Sequence, residues 1–222
     1  VKFNSNSTTD SAETIKSTVI DTIKSFSNDK IEAFDTVFRH SALTGLIDDS
    51  HEAIESTILT IQMKSSFTPT VNTSASYTLE FDNGLYNPHS EHNKSDGGIL
   101  SSTSFSINDS TAVSRTAYFD DDGAGNLRIY YISGGARTYI NSTAGTVAYL
   151  TGKVTVSNFN PTAVANTDNT ITITVKPNSV NLVPVRNQII EILDADISVT
   201  VSEDTAASSG STTDYGTSAS GY

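Results

Sequence analysis

The sequence predicts an α+β fold: an amino-terminal helical hairpin followed by a mainly antiparallel β-sheet or sandwich built from hairpins. Three observations predict it. Apolar residues recur at helical spacing only in the first quarter of the chain, and alternation with period two begins near Thr57. Between Arg115 and Val156 alternating runs are separated by Asp-, Asn- and Gly-rich turns, the pattern of back-to-back hairpins.

The helical part comes first. From Ser11 to Phe26 the residues Ile15, Val19, Ile20, Ile23 and Phe26 fall on one face, with Asp10 or Ser11 placed to cap and Asn28 placed to end the turn. A second helical pattern puts Ile31, Phe34, Val37 and Phe38 on one side and breaks at Gly45. Two helices alone must each bury an apolar face, so Phe34 and Phe38 are assigned to packing.

Strands follow over Thr57–Lys64 and Ser76–Phe81, where Tyr77, Leu79 and Phe81 share a face and Ser76, Thr78 and Glu80 share the other. Asp82-Asn83-Gly84 is a turn, and Tyr86 to Gly98 is a long loop and a candidate contact surface. Ile99 to Ile107 alternates again, and Thr170 to Val175 is the clearest strand. Ile189 to Leu193 fits a short helix or a buried strand equally, and Ile197 to Val201 alternates once more. The expected organisation is a helical segment over 1–50, a β-rich domain over 51–202 and a Ser/Thr/Gly-rich tail over 203–222 that buries too little to fold alone.

Composition narrows the function classes. Hydrophobic residues make up 36% and charged residues 17% of the 222, so much of the chain is Ser, Thr and Asn, as in β-rich surface or assembly proteins. A formal net charge of -12, with 13 scattered basic residues, argues against nucleic-acid binding. The chain has no cysteine, hence neither disulfides nor thiolate metal sites, and no apolar run of membrane-spanning length. It begins at Val1 and contains one Met, which raises the expectation that Val1 is internal to a longer polypeptide.

The place to look for chemistry is Asp120-Asp121-Asp122-Gly123-Ala124-Gly125-Asn126. A calcium loop needs oxygen ligands at alternate positions and a closing acid, whereas these acids are consecutive and Tyr131 stands near where that acid should fall. The favoured reading is a polar hairpin tip, with Gly123 and Gly125 left-handed and the aspartates where the sheet meets water. A calcium site at Asp120, Asp121 and Asp122 is the weaker alternative, and with it a surface β-module that binds carbohydrate or calcium. His89 and His92 flank Glu91 in the long loop, but their spacing matches no standard zinc site and they are assigned to solvent. His40 and His51 are assigned to surface or capping roles. A hydrolase using two of the 25 acids finds no placed pair. Ser208-Ser209-Gly210-Ser211 sits in the tail and not in a nucleophile elbow. No cofactor and no catalytic residue is expected.

One family accommodates these motifs in order. Phe34-Asp35-Thr36-Val37-Phe38-Arg39-His40-Ser41-Ala42-Leu43 runs through the Thr57 to Phe67 strand into Thr68-Pro69-Thr70-Val71-Asn72. It resembles the segment leading into the carboxy-terminal part of the baseplate wedge protein of T4-like contractile-tailed phages, the large ring-forming subunit. Phe81 to Pro88, the Asp120 to Arg128 hairpin, Gly145 to Tyr149, Val185 to Ile189 and the Ser/Thr/Gly-rich end fit the same family, so that the resemblance runs from about Asp29 to the last residue.

The resemblance implies a virion structural protein of the tail baseplate, assembled in the host cytoplasm and without catalytic residues. It implies self-association, linkage of neighbouring wedges into a ring around the hub, and contacts with other wedge proteins, with no nucleic-acid or membrane partner. The aromatic residues expected at such interfaces are Phe34, Phe38, Tyr86, Tyr130 and Tyr131.

Overall fold

The computed structural model describes residues 1–185 and 189–205. In chain order its elements are β1 (Lys2–Phe3), α1 (Ala12–Phe26), α2 (His40–Asp48), β2 (Ile54–Ser56), β3 (Met63–Phe67), β4 (Ala75–Glu80), β5 (Leu100–Ser102) and β6 (Phe105–Asn108). The long hairpin strands β7 (Ser114–Asp121), β8 (Asn126–Ser133), β9 (Ala136–Ala148) and β10 (Lys153–Phe159) follow, then β11 (Ala163–Val164), β12 (Ile171–Val175) and β13 (Ser202–Glu203). The α+β class and the antiparallel hairpin architecture are as the sequence predicts.

The chain divides into two compact units, Val1–Leu59 with Arg186–Tyr222, and Thr60–Val185. In the first, α1 buries Ile15, Val19, Ile23 and Phe26, the stripe that helical spacing selects. Ser11 caps it by accepting the Thr14 N–H at 3.2 Å. Beyond Phe26 the helix widens into a π-turn over Ser27–Ile31. The second helix is displaced from its expected place. It runs from His40 to Asp48 and passes through Gly45, burying Leu43 and Ile47. Residues 32–38 leave the helix through Asp35, whose φ of 61° no helix accommodates. Phe38 is buried with its ring edge-on to Phe26 at 6.0 Å, but Phe34 is 63% exposed, which corrects its assignment to packing.

The same unit holds a small sheet in which β1 lies between β2 and β13, parallel to β13 with Lys2 opposite Ser202. The expected strands over 57–64 and 197–201 are thereby reduced. Residues 57–62 keep alternating exposure but have no ladder partner, and Ile58 is 91% exposed. Residues 197–201 lead into the short β13 and are not themselves a strand. Ile189 to Leu193 is neither helix nor strand, followed by one 3-10 turn at Asp194–Asp196. The remainder of the tail expected over 203–222 lies outside the described residues from 206 onward, as do Arg186, Asn187 and Gln188.

The second unit is a two-layer β structure. Its larger sheet has the order β11-β6-β7-β8-β9-β10-β4, with an unbroken antiparallel meander from β6 to β10. The smaller has β12 between β3 and β5, and β12 buries Ile171, Ile173 and Val175. The run from Ile99 to Ile107 crosses between them, since β5 belongs to one sheet and β6 to the other. Phe105, Phe119 and Phe159 form a mutual aromatic cluster with centroids 4.7 to 5.1 Å apart. Phe67 of β3 meets Phe159 at 6.3 Å, joining the layers. Each such ring is worth roughly 1.5–3 kcal/mol of burial.

Candidate functional site

The acidic turn is built by the β7–β8 hairpin, whose register puts Asp120 opposite Arg128 and Asp121 opposite Leu127. Because side chains alternate across a strand, Phe119, Asp121, Ile129 and Leu127 face the Phe cluster while Tyr118, Asp120, Arg128 and Tyr130 face the other way. Gly123 and Gly125 have φ of 71° and 104°, the left-handed conformations expected of this turn.

The expectation that the three aspartates meet water is overturned. Asp120 is 1% exposed, Asp121 0% and Asp122 9%. Buried carboxylates must be hydrogen-bonded, and all of these are. Asp120 accepts the Arg128 Nε–H and the Arg137 Nη1–H at 2.8 Å each, and the Tyr139 hydroxyl at 3.0 Å. The Oδ1 of Asp121 takes the backbone N–H groups of Ile99 and Leu100 at 2.7 and 2.8 Å, and its Oδ2 takes the Gly123 N–H and the Tyr149 hydroxyl at 3.2 and 2.6 Å. Asp122 closes the turn on the N–H groups of Ala124 and Asn126 and on the Asn126 side-chain amide.

Charge follows from this geometry. Burial pushes the Asp120 carboxyl up, against the hydrogen bond and charge of Arg128, the Tyr139 hydroxyl and the charge of Arg137. For Asp122 burial also acts upward, but the donors of Asn126 and Ala124 outweigh it and the carboxyl is lowered. Tyr149 is pushed far up, first by burial and then by its bond to Asp121 and that carboxylate's charge. Each oxygen of the three aspartates already accepts at least one hydrogen bond from a protein donor. Among the described residues no three metal-ligating side chains gather.

Around Asp120 the arginines stack on tyrosines. The Arg128 guanidinium lies 4.3 Å from the Tyr139 ring centre and Arg137 4.7 Å from that of Tyr130, while Tyr118 and Tyr130 are 5.7 Å apart. An open groove of ≈ 480 Å³ borders this ladder, lined by Lys94, Ser95, Asp96, Arg128, Arg137 and Tyr139 among others.

The long loop expected to be a contact surface is clamped on the acidic turn. The Glu91 N–H and the Asn87 side-chain amide both donate to the Gly123 carbonyl, at 3.0 and 3.1 Å, and Arg128 donates to the Lys94 carbonyl at 3.2 Å. Gly98, at φ 65°, lies so close to the Asp121 carboxylate that a Cβ would run into it.

The sequence-derived interface residues do not form one patch. Phe38 is consumed inside the first unit, and Phe34 stands exposed. Tyr86 is half-buried, with the Lys176 Nζ 3.9 Å from its ring centre. Tyr130 and Tyr131, adjacent in sequence, lie on opposite faces of β8, Tyr131 under Arg115 at 4.9 Å. Arg128, Arg137, Tyr139 and Tyr149 escaped the sequence reading. Only the Asp120–Arg128 pair had a signal, eight residues apart across a predicted hairpin. His40 and His51 take local roles: His40 Nε2 is 3.1 Å from the Leu59 carbonyl, and His51 Nε2 is 3.1 Å from Asp10 while its Nδ1 accepts the Ala53 N–H.

No described helix is long and apolar enough to cross a membrane. No curated protein matches the chain. Residues 1–65 match the family model described as baseplate structural protein gp6, C-terminal domain III. That span holds α1, α2 and the Phe34 to Leu43 motif, while the motifs quoted from Phe81 onward lie beyond it. The resemblance to the carboxy-terminal region of a baseplate wedge protein thus finds its support in residues 1–65, which are similar to that domain.

Proposed function

We propose that this chain is a subunit of a phage tail baseplate wedge that self-associates and links neighbouring wedges into a ring around the hub. The observation that carries the reading is the family match over residues 1–65. The unit that holds most of that match also leaves large apolar side chains exposed: Phe34 at 63%, Leu46 at 41% and Ile58 at 91%. Such side chains gain from burial against a partner, and permanent assembly interfaces are apolar and bury more than about 2,000 Å². Other wedge proteins are further partners in this proposal, and its place is the virion tail. The work it describes is done by surfaces and needs no catalytic group.

Light scattering across a concentration series tests the self-association. The expected result is concentration-dependent oligomers that Phe34→Ser and Ile58→Ser weaken while the melting temperature stays put, because neither side chain is packed in the unit. A monomer at every concentration refutes it. Antibodies against the chain are expected to label the tail end of intact particles, and labelling elsewhere on the virion removes the baseplate reading.

A further inference from the structure

Two arginines meet on Asp120, and that carboxylate uses up neither of them. Asp120 takes only the Nη1 of Arg137, so that Nε and Nη2 donate to no acceptor among the described residues. These two N–H groups form the guanidinium edge that grips a carboxylate by two parallel bonds. Arg128 spends Nε on Asp120 and Nη2 on the carbonyls of Asp121 and Lys94, which leaves its Nη1 without a protein acceptor among the described residues. The fully buried side-chain polar atoms that lack a bond are on Thr57 and Asn87, so these three arginine nitrogens reach solvent. Both arginines line the groove of ≈ 480 Å³, and the unused donors open onto it.

Both guanidiniums are held before any ligand arrives. Arg128 lies on the Tyr139 ring and Arg137 on the Tyr130 ring, at 4.3 and 4.7 Å. Gly97, at φ 89°, lets the loop backbone pack flat against Arg137, because a Cβ there would overlap the Nη1. Loop and sheet thus clamp the arginine from two sides. Donors fixed in this way lose little conformational freedom on binding.

We propose that this groove binds a single carboxylate carried by a hydroxylated ligand, the chemistry of a uronic-acid sugar. Arg137 grips the carboxylate through its Nε–Nη2 edge and Arg128 adds its Nη1. The surrounding charge favours one negative group over many. Lys94, Arg128 and Arg137 stand against Asp96 and Asp120, and Glu91 pairs with Lys94 at 2.7 Å, so a phosphate dianion or a run of acids meets little net attraction. Directed bonds, and not the net field, select the ligand. The hydroxyls of Ser95 and Tyr139 suit a sugar, while Ala136 is the one aliphatic side chain of the lining. The groove therefore lacks the apolar pocket in which a peptide anchors a large side chain, and its volume fits a small ligand. All of these residues lie beyond the matched span of 1–65, so the site is independent of the assembly role drawn from it.

Titration of the whole chain with methyl glucuronoside, followed by calorimetry and by the arginine Nε–H resonances in NMR, tests this. The largest shifts are expected at Arg137 and Arg128. Methyl glucoside, which has a hydroxymethyl group in place of the carboxylate, is expected to bind at least about tenfold more weakly. Arg137→Lys keeps the charge and loses the fork, and is expected to cost at least about tenfold in affinity. Its melting temperature is expected to stay close to the parent's, since Arg137 is 30% exposed. Arg115→Lys, the same exchange on the opposite face of the sheet, is expected to leave binding unchanged. Absence of shifts at the two arginines, equal binding of the glucoside, or undiminished affinity in Arg137→Lys overturns the proposal. Tighter binding of inorganic phosphate or of a glutamate-rich peptide overturns it too, the first marking a general anion site and the second a protein interface. Should Arg137→Lys fail to fold, the comparison of glucuronoside with glucoside on the parent chain decides alone.

Discussion

Replacing Asp120 by Ala is the sharpest test of the buried charge cluster. The carboxylate is 2% exposed and Arg128 is 7% exposed at their side chains, with Nε and Oδ1 2.8 Å apart. Truncation leaves the Arg128 cation buried with one lost partner, and its remaining acceptors are the carbonyls of Asp121 and Lys94 at 2.7 and 3.2 Å. Arg137, 30% exposed, rehydrates at little cost. Removing one member of a buried pair costs about 3–5 kcal/mol, because the other charge stays desolvated. At roughly 4 °C per kcal/mol for a unit of this size, the melting temperature of the Thr60–Val185 unit is expected to fall by about 12–20 °C.

The upward push of burial on Asp120 says that desolvation competes with pairing, and a further result follows from it. Replacing both partners together, Asp120→Leu with Arg128→Met, is expected to cost far less than the single change, since apolar pairs of similar volume replace buried ion pairs with little loss. Circular dichroism melts and urea titrations of the three variants decide the matter. A drop of under about 3 °C for Asp120→Ala, or a double variant no better than the single, refutes the reasoning.

Three other outcomes are expected. Tyr149→Phe removes the 2.6 Å hydroxyl bond to Asp121 and is expected to cost about 1.5–3 kcal/mol in urea unfolding, as a bond to a buried charge should; in an alkaline absorbance titration of the parent, Tyr149 is expected to ionise last. Gly98→Ala drives a Cβ into the Asp121 carboxylate at a left-handed φ and is expected to destabilise by more than about 1 kcal/mol, whereas Gly134→Ala, with open space around it, is expected to cost only backbone strain. Asp109 is lowered by the Thr111 hydroxyl first, then by Arg115 and the Val113 N–H. A carboxyl lower in the folded state releases its proton more readily there, so its stabilisation is present above the ordinary carboxylate range and is lost as pH falls below it. Urea midpoints between about pH 2 and pH 6 are expected to fall less steeply in Asp109→Asn than in the parent, and identical slopes would sink the assignment.

Much of the architecture was legible because it is local. The α1 stripe, the alternation in β4 and β12, and the left-handed glycines of the acidic turn all follow from periodicity and turn chemistry. The site was legible by location and not by character. Asp120 to Asp122 were singled out but placed in water, since three consecutive acids in a hairpin tip carry no sign of the loop that covers them. That loop lies some thirty residues upstream, and the bonds from Asn87, Glu91, Ile99 and Leu100 are set by its folded path. Phe34 illustrates the opposite error, for its spacing with Phe38 is helical while Asp35 breaks the helix between them.

By itself the sequence determined the class, the hairpin meander, the absence of cysteine and the similarity of residues 1–65 to a baseplate structural domain. Each of these rests on short-range pattern or on composition, which survive without knowledge of distant partners. Tertiary structure alone decided that Ser202 pairs with Lys2, that two arginines and a tyrosine converge on Asp120, and that the His89 and His92 rings hydrogen-bond to each other at 3.2 Å. Those are long-range or conformational facts. A carboxylate's environment, and so its charge, its strength as a contact and its availability to a ligand, is fixed by what the fold brings over it.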